Sequence, residues 1–127
     1  MSKIDEGEVA LQLLNRDGHL ETVYLKPTIG ATRKISRHFG DIQSAFQKVL
    51  ARNFDAICFI VFEGLQVSDD KKAAGRIEER IFRTGIVDVS PKVIEYIGVL
   101  QNGGRPLKAD DQEDEEEGQE GASGNGS

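Results

Sequence analysis

Apolar and polar residues alternate with a period of two near the start of the chain, which predicts a β-hairpin over residues 7–26. The apolar positions repeat at every second residue of the first strand and, with one slip near Thr22, of the second: Val9, Leu11 and Leu13, then Leu20, Val23 and Leu25. Residues 15–18, NRDG, end on a glycine and form a turn signal between the strands. Because an isolated hairpin is marginal in water, we expect it to pack against the rest of the chain.

Beyond the hairpin the apolar period becomes helical, and start and stop signals divide the chain into about five short helices. The start signals are N-cap residues at Thr28, Asp41 and Asp55, residues 68–70 before a helix at about 72–83, and Ser90 followed by Pro91. The stop signals are glycines: Gly40, Gly64, Gly85 and Gly103. The side chains expected to face the core are Ile29, Ala31 or Thr32, Ile35, Phe39, Ile42, Ala45, Phe46, Val49, Leu50, Ala73, Ile77, Ile81, Phe82, Val93, Ile94, Ile97 and Leu100.

The third predicted helix, AICFIVFEGL, is apolar nearly all round. Such a helix belongs at the centre of a bundle, so we expect Phe59, Ile60 and Phe62 in the core and Cys58 as a buried thiol. If Phe59 or Phe62 lies on the surface instead, it becomes a candidate contact with a partner protein or a second copy.

These elements predict an α+β domain over residues 1–104, with an N-terminal β-hairpin followed by about five short helices. Residues 105–127 are expected to form a disordered acidic tail. Eight of the 22 acidic residues of the chain lie at 109–127, where there is no Lys or Arg. Residues 1–108 are therefore close to neutral, and the low isoelectric point describes the tail.

Residues suited to catalysis or metal binding are sparse. The chain has one cysteine, and neither His19 nor His38 has a second ligand at metal-binding spacing. The glycines are scattered and form no phosphate-binding loop. We therefore expect no enzymatic activity, no cofactor and no metal. No apolar run approaches the roughly 20 residues of a membrane span, so we expect no membrane partner and a reducing cytoplasm.

The first helix carries a basic face of Arg33, Lys34 and Arg37. Three interpretations are open: a solvated helix face, a protein-binding surface, or a nucleic-acid contact that uses a helix–Gly–helix layout. The near-neutral body argues against nucleic acid, and a tethered acidic tail would compete for the same residues.

The N-terminal pattern "GEVALQLL…G…VYLKPTIGATRKISRHFG" resembles the tail-assembly chaperone family of siphophages and gene transfer agents, sometimes labelled a tail tube protein. The resemblance continues through the apolar helix that ends at Gly64 and Leu65, and it covers about residues 7–104. The stretch "RKISRHFG" departs from it, since many relatives carry acidic residues there. The acidic tail is not part of the shared pattern.

The resemblance implies a non-catalytic protein that binds the apolar, helical tape measure protein in the host cytoplasm. It would keep that protein soluble until tail tube subunits polymerise around it, and it would be absent from the mature virion. The resemblance also implies a homo-oligomer. The candidate partner-binding residues come from the residues themselves, namely the basic face of the first helix and the aromatic side chains of the third: Arg33, Lys34, Arg37, Phe59 and Phe62.

Two other classes of function remain open. The first is a structural virion protein, either a tail tube or a tail completion subunit, although tube subunits are usually built on larger β-sheets than one hairpin. The second is a small nucleic-acid-binding regulator.

Overall fold

Two strands and five helices form residues 7–107, the part of the chain that this computed structural model describes. In chain order they are β1 Val9–Leu14, β2 Leu20–Leu25, α1 Ile29–Phe39, α2 Ile42–Leu50, α3 Phe54–Leu65, α4 Lys71–Thr84 and α5 Ile86–Gln101. The predicted α+β class, a hairpin followed by five helices, is confirmed. The predicted disordered tail spans residues 105–127, of which 108–127 lie outside the described part; residues 105–107 form neither helix nor strand.

The hairpin is antiparallel and buries one face. Its register runs from Val9 opposite Leu25 to Leu14 opposite Leu20. Val9, Leu11, Leu13 and Leu25 are buried, whereas Leu20 lies on the outer face and is 56% exposed. In the turn, the Asn15 side chain accepts hydrogen bonds from the backbone N–H groups of residues 17 and 19. The hairpin is therefore fixed at its turn and docked along its inner face.

The core lies between the inner face of the hairpin and α3, α4 and α5, with α1 and α2 packed around α3. Ile57, Ile60 and Val61 of α3 are fully buried. The prediction of a central third helix is correct for Ile60. Phe59 and Phe62 are only partly buried against this core, so their predicted central position is wrong.

Three of the predicted caps are observed, and the two predicted for α3 and α5 are not. Thr28, Asp41 and Asp70 each accept a hydrogen bond from the backbone N–H three residues on. The cap of α3 is Asn53, whose Oδ1 accepts from Ala56 N at 2.9 Å, and the predicted cap Asp55 lies in the first turn. There its negative charge interacts favourably with the positive end of the helix dipole.

The fifth helix begins at Ile86 and not at the predicted Ser90–Pro91 signal. Gly85 has φ of 104°, which lets the chain pass from α4 directly into α5. Ser90 donates to the Ile86 carbonyl at 2.7 Å inside the helix. Pro91 has no N–H to donate to the Val87 carbonyl one turn earlier. Because Pro91 is exposed, that carbonyl lies on the solvent side of the helix. The buried Val89 explains the longer helix, because it extends the apolar stripe of α5 backward.

Gly64 lies inside α3 and does not end it, contrary to the sequence prediction. A Cβ at this position would meet Leu25 side-chain atoms at 3.0 Å and Tyr96 Cζ at 3.3 Å. The Gly64 carbonyl accepts from Lys26 N at 2.8 Å, and the Tyr96 hydroxyl donates to the Lys26 carbonyl at 2.6 Å. Gly64 is therefore needed where β2, α3 and α5 converge.

Three side chains that the helical periodicity directed inward lie on the surface. Ile29 is 75% exposed, Leu50 48% and Phe82 73%. Ile29 and Leu50 are terminal residues of their helices, and Phe82 follows Ile81, which occupies the inward position of α4. Periodicity identifies the buried stripe of a helix but assigns residues at its edges and ends poorly.

Candidate partner-binding surface

The five candidate residues from the sequence lie on two neighbouring helices. Arg33, Lys34 and Arg37 are exposed on α1, and Phe59 and Phe62 are half-buried on α3. Along α3, exposed or half-exposed positions recur at Asp55, Phe59, Phe62 and Gln66, a spacing of three to four residues that forms one stripe. This stripe is the side of α3 that the other elements leave partly uncovered.

Contacts between α1 and α3 bring part of the two candidate sets together. The His38 ring stacks on Phe59 with ring centres 4.0 Å apart and planes 13° apart. Phe39 meets the same ring edge-on at 5.6 Å. Lys34 Nζ lies 3.9 Å from a Glu63 carboxylate oxygen. Lys34 and Phe59 therefore border one surface, whereas Arg33 and Arg37 make no hydrogen bond or ion pair within residues 7–107.

The α4 side of the same helix adds a further aromatic pair. Phe54 meets Phe82 edge-on with ring centres 6.4 Å apart. Phe82 is 73% exposed, the largest exposed side chain in this region. We call the set His38, Phe54, Phe59, Phe62 and Phe82 the aromatic face; its two pairs lie where α3 meets its neighbours, His38–Phe59 toward α1 and Phe54–Phe82 toward α4.

Buried charge lies directly behind the aromatic face. Glu63 is only 6% exposed, and its ion pair with Lys34 is long. Burial raises the pKa of Tyr96, and the nearby negative charge of Glu63 raises it further, so the hydroxyl stays a hydrogen-bond donor. These groups hold α1, α3, α5 and β2 together behind the surface.

Cys58 is buried, as predicted, at 5% exposure. Burial raises the pKa of its thiol to about 12, and the negative charges of Glu78 and Asp55 add to the shift. The thiol is therefore protonated at neutral pH and is a poor nucleophile.

A second charged feature was not found from the sequence. Arg16, Arg76, Arg80 and Arg83, together with Asn15 and Glu79, line a cavity of about 280 Å³ between the hairpin turn and α4. We call it the arginine cleft. The spacing of Arg76, Arg80 and Arg83 in the sequence is enough to predict three guanidinium groups on one side of a helix.

Within residues 7–107 no three His, Cys, Asp or Glu side chains come together as potential ligands for a metal ion. None of the helices in this part of the chain combines the length and apolarity needed to cross a membrane.

Comparison of the chain with protein-family models, with curated proteins and with solved structures gives no match.

Proposed function

We propose that this protein is a non-catalytic tail-assembly chaperone of a phage or gene transfer agent. It binds the tape measure protein in the host cytoplasm and holds it soluble until tail tube subunits polymerise around it. The aromatic face is the observation that carries the proposal, because it offers partly exposed aromatic rings where α3 meets α1 and α4. The resemblance of residues 7–104 to tail-assembly chaperones supplies the identity of the client.

The aromatic face has the chemistry that an amphipathic helix requires. Aromatic rings supply large apolar area, and a helix that lays its apolar stripe along them is a common mode of peptide recognition. Phe82 is 73% exposed, which makes it the candidate anchor. Charged residues border the rings, with Lys34 on the α1 side and Asp55 on α3 itself. A client helix with apolar residues flanked by charged ones would complement this surface.

A homo-oligomer suits the same role. One tape measure protein presents many apolar helical segments, and several chaperone copies would offer several weak sites along it. Such multivalent binding gives high overall affinity without a strong individual contact.

Co-expression with the tape measure protein encoded nearby tests the proposal. We expect the soluble fraction of that protein to rise and the two proteins to co-purify. If apolar burial dominates, the complex should survive about 0.5 M salt, where exposed ion pairs are screened. Replacing Arg33 and Arg37 with Glu should then weaken binding only modestly. A tape measure protein that stays insoluble at every salt concentration contradicts the proposal.

The competing class, a structural tail protein, makes the opposite prediction for the finished particle. A chaperone should be absent from purified virions, whereas a tube or completion subunit should be abundant in them. Mass spectrometry of purified particles decides between the two. A gel-shift series would favour a nucleic-acid-binding regulator only if binding appeared and weakened steeply with salt.

A further inference from the structure

The arginine cleft lies on the flank of α4 opposite Phe82. Arg76, Arg80 and Arg83 fall on one side of the helix, and residues 78 and 82 fall on the other, with the buried Ile77 and Ile81 between them. The cleft is therefore separate from the aromatic face.

Two of the four arginines are held in place by the hairpin. Arg80 donates from Nε to the Leu14 carbonyl at 2.9 Å and forms an ion pair with Glu21 at 3.2 Å. Arg83 Nη1 donates to the Asn15 carbonyl at 3.0 Å. These bonds fix the planes of two guanidinium groups without neutralising Arg83.

The remaining charges of the cleft are unbalanced. Arg16 and Arg76 make no hydrogen bond or ion pair within residues 7–107, and the acidic group that lines the cavity with them is Glu79. Arg16, Arg76 and Arg83 thus place three positive charges against one carboxylate. Planar guanidinium groups bind carboxylates through two parallel hydrogen bonds. The cleft therefore favours a carboxylate-rich ligand over an apolar or a neutral one.

The chain itself contains such a ligand. Residues 113–117 are five consecutive acidic residues, EDEEE, and no basic residue lies between 109 and 127. The described chain ends at Leu107, whose side chain approaches Gly98 in α5. Gly98 lies twelve residues along α5 from its first residue, Ile86, and only Gly85 separates Ile86 from the end of α4. At 1.5 Å per residue this is about 18 Å of helix.

We propose that residues 113–117 seat their carboxylates in the arginine cleft of the same molecule. An extended chain spans about 3.3 to 3.6 Å per residue, so roughly six to ten residues from Leu107 cover about 20 to 36 Å, which exceeds the length of α5 between Gly98 and the end of α4 that carries Arg83. Tethering keeps the acidic segment at an effective concentration of about the millimolar range, so individually weak contacts suffice.

The basic face of α1 is the competing site for this segment. Its Lys34 already faces Glu63, and Arg33 and Arg37 lie on an open helix surface. In the arginine cleft, Arg16, Arg76 and Arg83 surround one cavity and form no ion pair within residues 7–107, so the cleft is the better match for several adjacent carboxylates.

A nitroxide label in the tail of the full-length protein tests the contact. The label is attached at Gly118→Cys, since the buried Cys58 thiol does not compete for the reagent. At low salt we expect the backbone amide signals of residues 15–17 and 76–83 to broaden in the nuclear magnetic resonance spectrum. The signals should recover in about 0.5 M NaCl, where exposed ion pairs are screened.

Two charge reversals provide a matched comparison. Arg16→Glu with Arg76→Glu should abolish the broadening, and neither residue holds the hairpin through a hydrogen bond within residues 7–107. Arg33→Glu with Arg37→Glu should leave it intact. Broadening centred on residues 33–37, or no broadening at low salt, overturns the proposal. A mixed sample tests whether the contact is within one molecule: one copy is isotope-labelled and carries no nitroxide, and the other carries the nitroxide and is not isotope-labelled. Broadening of the isotope-labelled signals in this mixture also overturns the proposal, because the tail would then occupy the cleft of another copy.

Discussion

Tyr96 ties the hairpin to the helices through one buried hydroxyl. Its ring is fully buried, and its Oη donates to the Lys26 carbonyl at 2.6 Å. We expect Tyr96→Phe to lower the free energy of unfolding by about 0.5 to 1.5 kcal/mol, because the Lys26 carbonyl loses its donor in a partly buried contact. Urea denaturation measures the change. Tyr24→Phe is the control, since Tyr24 is 38% exposed and its hydroxyl can bond to water. Equal effects of the two substitutions would show that the Tyr96 hydrogen bond contributes little.

The glycines at 64 and 75 offer a second matched pair, because both lie inside helices without positive φ. Gly64→Ala should destabilise the protein by about 1 to 3 kcal/mol, since the new methyl group meets Leu25 and Tyr96. Gly75→Ala meets nothing within 4 Å and should stabilise the protein by up to about 1 kcal/mol through better helix propensity. Thermal or urea melts that move in the same direction for both variants would contradict the close approach at Gly64.

The cap residue Asp41 predicts a dependence of stability on pH. Its pKa lies below the ordinary value of 3.8, because the Ser44 backbone N–H and then its side chain donate to the carboxylate. Stability from this cap is therefore present above the unfolded pKa and is lost as the pH falls through the folded pKa. Asp41→Asn keeps an acceptor but does not titrate. Urea midpoints from about pH 5 to pH 2 should fall more for the wild type than for Asp41→Asn; parallel profiles would refute the linkage.

At the scale of elements, α4 separates residues that hold the fold from residues available to a partner. Ile81 is fully buried and Phe82 is 73% exposed. Ile81→Ala should cost about 2 to 5 kcal/mol of stability, through lost apolar contacts and a cavity. Phe82→Ala should cost about 1 kcal/mol or less, since it loses chiefly the edge contact with Phe54. Circular-dichroism melts would contradict this division if Phe82→Ala destabilised the fold as strongly as Ile81→Ala.

The elements that the sequence predicts well are those whose signals are local. Thr28 and Asp41 act as caps because a side-chain oxygen reaches an N–H three residues on, which requires no tertiary contact. The start of α5 was missed because Ser90–Pro91 imitates a helix start, and the longer helix depends on burial of Val89 against distant residues. Gly64 was misread for the same reason, since its role depends on Leu25 and Tyr96, which are far away in sequence.

The candidate surfaces were predictable only in part, because they combine residues from several elements. The sequence pointed to Phe59 and Phe62 on α3, but the exposure of Phe82 follows from how α4 lies on α3. The arginine cleft needs the hairpin turn beside α4, a contact between residues more than 60 positions apart. Helical spacing could have flagged the α4 arginines, but not the carbonyl groups of β1 that hold Arg80.

At the scale of the whole molecule, charge and apolar surface are divided among separate regions. The aromatic face is partly apolar, the arginine cleft is basic, and residues 109–127 carry eight acidic side chains. An acidic segment that covers the arginine cleft would leave the aromatic face free for a client. Screening by salt should therefore act on the tail contact far more than on client binding.

The affinity of the chain for a soluble fragment of the tape measure protein tests the central claim most directly. Calorimetric titrations should compare the wild type with Phe82→Ala and with Ile29→Ala, an equally exposed apolar residue on the far flank of α1. If the aromatic face binds the client, Phe82→Ala should weaken binding about tenfold or more, a loss of about 1.4 kcal/mol, while Ile29→Ala binds like the wild type. If Phe82→Ala binds as tightly as the wild type, or if Ile29→Ala loses as much affinity, the aromatic face is not the client-binding surface.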